Sequence, residues 1–215
     1  MRIFILYIAL VCTWTASAQV WDTTKYQSHF KQWVPQEQLD GFNLKQIEIN
    51  KQGMYALSGW GVGNLLYGSI ASGLTHGEVQ VFHASNMIWG SINTLIGVPG
   101  LIASYNKKKV MGRSFGETIL HQHGQEKLYL INGCLDFAYI GAGAAAWGFS
   151  DRLASQRTRN ILSGVGKSFV MQGGFLLFFD WGMYIAHSQH AYRNLNRYVA
   201  GLAFTGEGVS YELMF

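Results

Sequence analysis

Residues 168–190 read SFVMQGGFLLFFDWGMYIAHSQH, and this stretch decides the fold class of the chain. Its apolar part, 168–186, has about 19 residues, and a helix rising about 1.5 Å per residue would nearly cross a bilayer core of about 30 Å. The run contains one acidic residue, Asp180. Because a carboxylate is costly in lipid, Asp180 is expected to face protein, water or a partner. The stretch therefore predicts a membrane-spanning helix with a polar inner face.

The composition of the whole chain supports this prediction. The 215 residues are 49% hydrophobic and only 13% charged, whereas about a quarter of residues are charged in soluble domains. The apolar residues are concentrated in four blocks, at 53–73, 81–104, 128–149 and 168–190. We therefore predict an all-α membrane protein with a bundle of four transmembrane helices over 53–190.

The partners follow from the same pattern. The lipid bilayer is the predicted partner, and other membrane proteins are candidate partners. The net charge of +4 comes from basic residues in the connections between the apolar blocks. Such charges are typical of membrane flanks, so nucleic acid is not expected to bind.

The segments on either side of the bundle have different characters. Residues 1–18 have the features of a cleaved signal peptide, with Arg2, an apolar core and a small-residue cleavage pattern. Residues 19–52 form a polar, amphipathic N-terminal segment, predicted to lie as one or two short helices at the membrane surface. The C-terminal tail, 191–215, predicts a short β-hairpin around the turn TGEG.

The alternative architecture is a β-barrel in the outer membrane. The signal peptide, the 26 glycines and the terminal Phe215 are compatible with it. Barrel strands, however, have about 10 residues of alternating polarity, whereas 128–149 is continuously apolar with one charge and an alanine-rich centre. The sequence therefore favours helices and a multi-pass protein of the cell inner membrane.

The orientation in the membrane stays open at this point. A cleaved signal peptide places the connection 105–127 outside the cell, with four lysines and one arginine. The connection 150–167, predicted inside, has three arginines and one lysine. Because cytoplasmic loops usually carry the excess of lysine and arginine, the two signals disagree.

Polar residues recur at steps of three and four within the apolar blocks, which places them on inward helix faces with small residues such as Gly61 and Gly143. If the helices alternate in direction, two asparagines and two aspartates lie at a similar depth, about 9–17 Å from one membrane side. Two neighbouring carboxyl groups would share one proton near neutral pH. The predicted intramembrane cluster comprises Asn64, Asn93, Asn132, Asp136, Gln172 and Asp180.

Two further sets of residues are candidate sites. His83, Asn86 and Lys167 are predicted to gather near one membrane boundary. On the other side the motifs HQH and HSQH supply four imidazoles, which can bind a transition metal. This candidate metal site comprises His121, His123, His187 and His190.

The apolar blocks together resemble a known family. The segments NKQGMYALSGWGVGNLLYG, VFHASNMIWGSINTLIG, LYLINGCLDFAYIGAG and GVGKSFVMQGGFLLFFDWGMYIAH resemble an uncharacterised family of small multi-span membrane proteins, a domain of unknown function typical of Bacteroidota. The likeness covers roughly 50–190. It implies a bacterial multi-span membrane protein and no particular chemistry.

Three functions are compatible with these residues. The favoured one is a non-enzymatic accessory or binding component of the membrane with a buried Asn/Asp cluster. The second is a small transporter coupled to protons or cations through Asp136 and Asp180. The third is a metal- or haem-binding redox protein that uses the histidines. No catalytic motif is present, since the chain lacks a phosphate-binding glycine loop, HExxH and GxSxG, and no cofactor is identified.

Overall fold

Four long helices make up the part of the fold that the structure describes. The computed structural model describes residues 34–195 and two short strands in the tail. The helices are α1 (Gln36–Leu74), α2 (Gly77–Ser104), α3 (Phe115–Ser150) and α4 (Gln156–Asn194), with a 3₁₀ turn (Lys107–Lys109) between α2 and α3. The strands β1 (Leu202–Thr205) and β2 (Gly208–Tyr211) pair antiparallel, with Leu202 opposite Tyr211. The predicted signal peptide and the residues 19–33 lie outside the described part of the chain.

The helices extend beyond the apolar blocks. Helix α1 begins at Gln36, where separate short surface helices were expected, and continues without a break through the first block. Helix α3 begins at Phe115 because Ser114 and Glu117 form a capping box, with the Ser114 amide 2.7 Å from the Glu117 carboxylate. Caps and backbone hydrogen bonds end a helix, whereas apolar composition marks only the part suited to lipid.

The connection between α2 and α3 is attached to the beginning of α1. The Gly112 amide donates a hydrogen bond of 2.8 Å to the Asp40 carboxylate. Gly112 has a φ of 76°, a left-handed conformation that favours glycine. This contact and the 3.1 Å contact of His190 Nε2 with the Phe42 carbonyl place the start of α1, the end of α2, the start of α3 and the end of α4 at one end of the bundle, which we call the loop end.

Glycines bring the helices into close contact. The most extensive contacts are those of α1 with α2 and of α3 with α4. Contacts between α2 and α4 join these two pairs. A Cβ atom at Gly166 on α4 would lie 2.6 Å from the Gly143 carbonyl on α3, and one at Gly61 on α1 would lie 2.6 Å from the Thr94 amide on α2. The small residues predicted on the inner faces thus lie at the helix contacts, as in membrane bundles.

The bundle has an apolar exterior and a polar interior, the reverse of a soluble protein. Leu95 and Phe178 are 75% and 83% exposed, and helices α2, α3 and α4 are each long and apolar enough to cross a membrane. Helix α1, in which glycine and serine alternate with the apolar residues, does not reach that level of hydropathy. An apolar exterior around a hydrogen-bonded polar interior indicates a membrane protein. The largest fully buried side chains are His187, Gln46, Gln122, Gln172, Asn43, Thr118, Ser150 and Ser168.

Candidate functional site

The first polar layer is an amide network around Gln172 on α4. Its Nε2 donates to Asn64 Oδ1 (2.9 Å) and Asn86 Oδ1 (3.1 Å), and its Oε1 accepts from Trp60 Nε1 (2.8 Å). Ser168 donates to the same Asn86 oxygen at 2.6 Å. Both heteroatoms of the fully buried Gln172 amide are therefore paired, and the network ties α4 to α1 and α2. Its members are Trp60, Asn64, Asn86, Ser168 and Gln172.

The second layer contains the two aspartates. Asp136 on α3 and Asp180 on α4 are 2% and 4% exposed, and their carboxyl groups lie within hydrogen-bonding reach of each other. Asn132, one turn before Asp136, lies near Asp180. An ionised carboxylate only accepts hydrogen bonds, so a bond between the two aspartates requires a proton on one of them.

This aspartate layer also contains unpaired polar atoms. Within residues 34–195, Asp136 Oδ2 and Asn93 Nδ2 are buried and lack a hydrogen-bond partner. Helices α2 and α4 run in the same direction. On α2, Asn93 comes seven residues after Asn86 of the amide network; on α4, Asp180 comes eight residues after Gln172 of the same network. Asn93 therefore lies at the level of the aspartates, about 10–12 Å from the amide network. The aspartate layer comprises Asn93, Asn132, Asp136 and Asp180.

The predicted intramembrane cluster is thus two layers. Asn64 and Gln172 belong to the amide network, about two helical turns from Asp180 along α4. Depths counted from the ends of apolar blocks were too coarse to separate them, because the helices extend beyond those ends.

The third layer, the histidine network, lies toward the loop end. Gln46 on α1 donates to Gln122 on α3 (2.8 Å), and Gln122 donates to the His187 carbonyl on α4 (2.9 Å). The His187 Nε2 lies 2.9 Å from Asn50 Oδ1. Three helices are therefore joined by one hydrogen-bonded chain.

Tyr129 connects the histidine network with the aspartate layer. Its hydroxyl donates to Asn50 Oδ1 at 3.3 Å, and its ring stacks on His187 with centroids 5.5 Å apart. Tyr129 also lies within electrostatic range of Asp180. Tyr129 therefore contacts the histidine network and lies along α3 between that network and the aspartate layer.

The four histidines proposed as metal ligands do not form a metal site. Across the described residues, no three His, Cys, Asp or Glu side chains are grouped as ligands. His187 pairs with Asn50, and His190 Nε2 lies 3.1 Å from the Phe42 carbonyl. His121 pairs with Gln46, whereas His123 is exposed and lies beside Glu126. Successive helical turns direct the members of each motif to different neighbours, so sequence proximity did not produce a cluster.

The predicted boundary cluster is also divided. Asn86 lies within the amide network. Lys167 forms an ion pair of 2.5 Å with Glu78 and lies over the Trp147 ring. His83 packs edge-on against Tyr67, and its Nδ1 has no partner in the described part of the chain.

Several members of these layers were not predicted. Gln46 and Asn50 fell in the segment assigned to the membrane surface, and Gln122 in a connection. A signal for them exists, because Gln122, Tyr129 and Asp136 recur every seven residues on α3 and therefore share one face. Extending that repeat outward from Asp136 would have found them.

The comparisons with known proteins agree with one part of the resemblance seen in the sequence, that the chain belongs to a family of unknown function. Residues 56–181 match a family described as a family of unknown function, DUF6992. This range includes the aspartate layer and the amide network, but most of the histidine network lies outside it. No curated protein and no solved structure matches the chain. Since the match covers more than half of the sequence, the chain belongs to the family of unknown function DUF6992.

Proposed function

We propose that this chain is a multi-pass protein of the bacterial inner membrane that binds and exchanges a proton at Asp136 and Asp180. In this proposal all four helices cross the bilayer, and α1 spans it from about Gly53 onward. The hydrogen-bonded contact of α1 with α4 through Gln172 and Asn64 supports its place in the bundle.

The observation that carries the proposal is the contrast between the amide network and the aspartate layer. Gln172 has partners at both heteroatoms. Asn93 Nδ2 is buried without a hydrogen-bond partner among residues 34–195, and the neighbouring Asp136 and Asp180 carboxyl groups can pair only if one of them holds a proton. A purely structural polar core is expected to satisfy its buried groups, and an ionisable pair inside a membrane is by default a functional site.

Tyr129 and the histidine network give the aspartates a route to the loop end. Tyr129 and His187 both donate to Asn50 Oδ1, so these side chains form a polar path along which water would carry the proton. The polar residues of the route are supplied by α1, α3 and α4. We therefore favour proton coupling over a static role for the carboxyl pair.

The test is proton flux in liposomes that contain the purified chain and an internal pH-sensitive dye. A potassium diffusion potential, negative inside, is imposed with an ionophore. We expect wild-type protein to acidify the interior faster than empty liposomes, and Asp136→Asn or Asp180→Asn to lose most of that rate. Asp151→Asn removes an exposed carboxylate at the end of α3 and should retain it. Equal rates in all variants would refute the proposal.

A second candidate is the accessory membrane component favoured by the sequence. The amide network supports it, because its members are paired with one another and hold three helices together. In that case the two aspartates only stabilise the bundle. Their replacement would then lower thermal stability without any change in proton flux.

A further inference from the structure

A cavity of about 670 Å³ lies between the beginning of α1 and the end of α4, away from the three polar layers. Sites for small ligands typically have volumes of about 300–1,000 Å³. The cavity walls come from three kinds of residue: apolar, amide and basic. The apolar residues are Val34, Leu39, Phe42, Ile49, Ala186 and Leu195.

The charges around the cavity are of one sign. Lys45 on α1 and Arg193 on α4 line it, and no acidic side chain from the described residues does. Neither cation has an ion-pair partner within 34–195. His190 adds a ring stacked on Phe42 with centroids 4.1 Å apart. Two unpaired cations beside an apolar wall favour a ligand that has both an anionic and an apolar part.

The position of the cavity along the bundle narrows the ligand further. Its inner end lies at Ala186, where the apolar run of α4 ends, and at Ile49, four residues before the apolar block of α1 begins. Lys45 is about one turn farther from the bilayer than Ile49, and Arg193 about two turns farther than Ala186. An acyl chain could therefore enter from the bilayer side while its anionic group meets the cations at the membrane surface.

We propose that this cavity binds an anionic acyl lipid, with Lys45 and Arg193 recognising the anionic group and Ile49 and Ala186 contacting the chain. The proposal is independent of the proton site. The anion can be the phosphate of a bilayer phospholipid or the carboxylate of a free fatty acid, and these two sources share the chemistry that the cavity recognises.

The experiment is native mass spectrometry of the full chain in a neutral detergent, titrated with phosphatidylglycerol, phosphatidylcholine of the same acyl chains, or oleate. We expect one tightly bound molecule of phosphatidylglycerol or oleate, with about tenfold preference over phosphatidylcholine. Binding of phosphatidylglycerol alone identifies a bilayer lipid, and binding of oleate alone identifies a free fatty acid.

Paired variants locate the site. Lys45→Gln with Arg193→Gln should weaken binding about tenfold. Lys107→Gln with Lys108→Gln removes the same charge at exposed positions of the loop end and should not weaken it. Because Lys45 and Arg193 are exposed, the first pair should fold normally.

Ala186→Trp, which keeps both charges and fills the inner end of the cavity, should weaken binding of all three lipids. Equal binding of phosphatidylcholine, or equal losses in the two charge-removing variants, would overturn the proposal.

Discussion

The contact between α3 and α4 at Gly143 and Gly166 gives the sharpest test of how the bundle is held together. In the Gly166→Ala variant the new Cβ would lie 2.6 Å from both the Gly143 carbonyl oxygen and the Trp147 amide nitrogen. Ordinary contacts begin at 3.4 Å, about 0.8 Å farther away. Both obstacles are backbone atoms of a helix, so no side chain can rotate to relieve the overlap. The helices must separate instead.

The size of the effect follows from this overlap. Forcing an extra carbon into a well-packed interface costs about 1–3 kcal/mol. The higher helix propensity of alanine offsets this by up to about 1 kcal/mol. We therefore expect Gly166→Ala to lower the free energy of unfolding by about 1–2 kcal/mol.

Gly174 on the same helix is the matched control. A Cβ at this position has no atom within 4 Å, so Gly174→Ala should be neutral or stabilise by up to about 1 kcal/mol. The assay is thermal unfolding of both variants in the same detergent, followed by helical circular dichroism. If the two variants unfold at the same temperature, close glycine packing does not hold α3 against α4.

Two further predictions concern the polar interior and the apolar exterior. Gln172→Leu should lower the free energy of unfolding by about 1–3 kcal/mol, because it leaves buried partners on α1 and α2 unpaired. The control Gln125→Leu, on a half-buried part of α3, should change the free energy of unfolding by less than about 0.5 kcal/mol. Cys134 faces outward on α3. In a Cys12→Ser background, a membrane-impermeant maleimide should therefore label Cys134 only after denaturation. Gly124→Cys at the loop end should instead be labelled without denaturation, in membranes opened so that the reagent reaches both faces. Gel-shift assays report the labelling, and rapid labelling of Cys134 in the bilayer would contradict a lipid-facing surface.

The central parts of the helices could be predicted because apolar composition and length are local properties. The apolar runs around Asn93, Asp136 and Asp180 all lie within helices, as expected. The helix ends were missed where polar sequence continues a helix. The cap at Ser114 could have been recognised, since Ser114 and Glu117 have the spacing of a capping box.

The arrangement of the polar residues could be predicted only in part. The prediction that Asp136 and Asp180 lie near each other rested on their inward faces and similar depth, and the two carboxyl groups are neighbours in the structure. The separation of Asn64 from the two aspartates could not be predicted. It depends on the offset between α1 and α4 along the bundle axis, which no local sequence pattern encodes. The histidines were misjudged for a related reason. A short motif such as HSQH gives spacing along one helix but not the partners, such as Asn50 and Phe42, that face each ring.

The shared proton that we propose for Asp136 and Asp180 can be tested most directly by infrared spectroscopy of the chain in lipid bilayers. A protonated carboxyl group has a C=O stretching band that an ionised carboxylate lacks. We predict one such band at neutral pH in the wild type and in Asp151→Asn, and its loss in the double variant Asp136→Asn with Asp180→Asn. A wild-type spectrum without this band, or a band that persists in the double variant, would contradict the account.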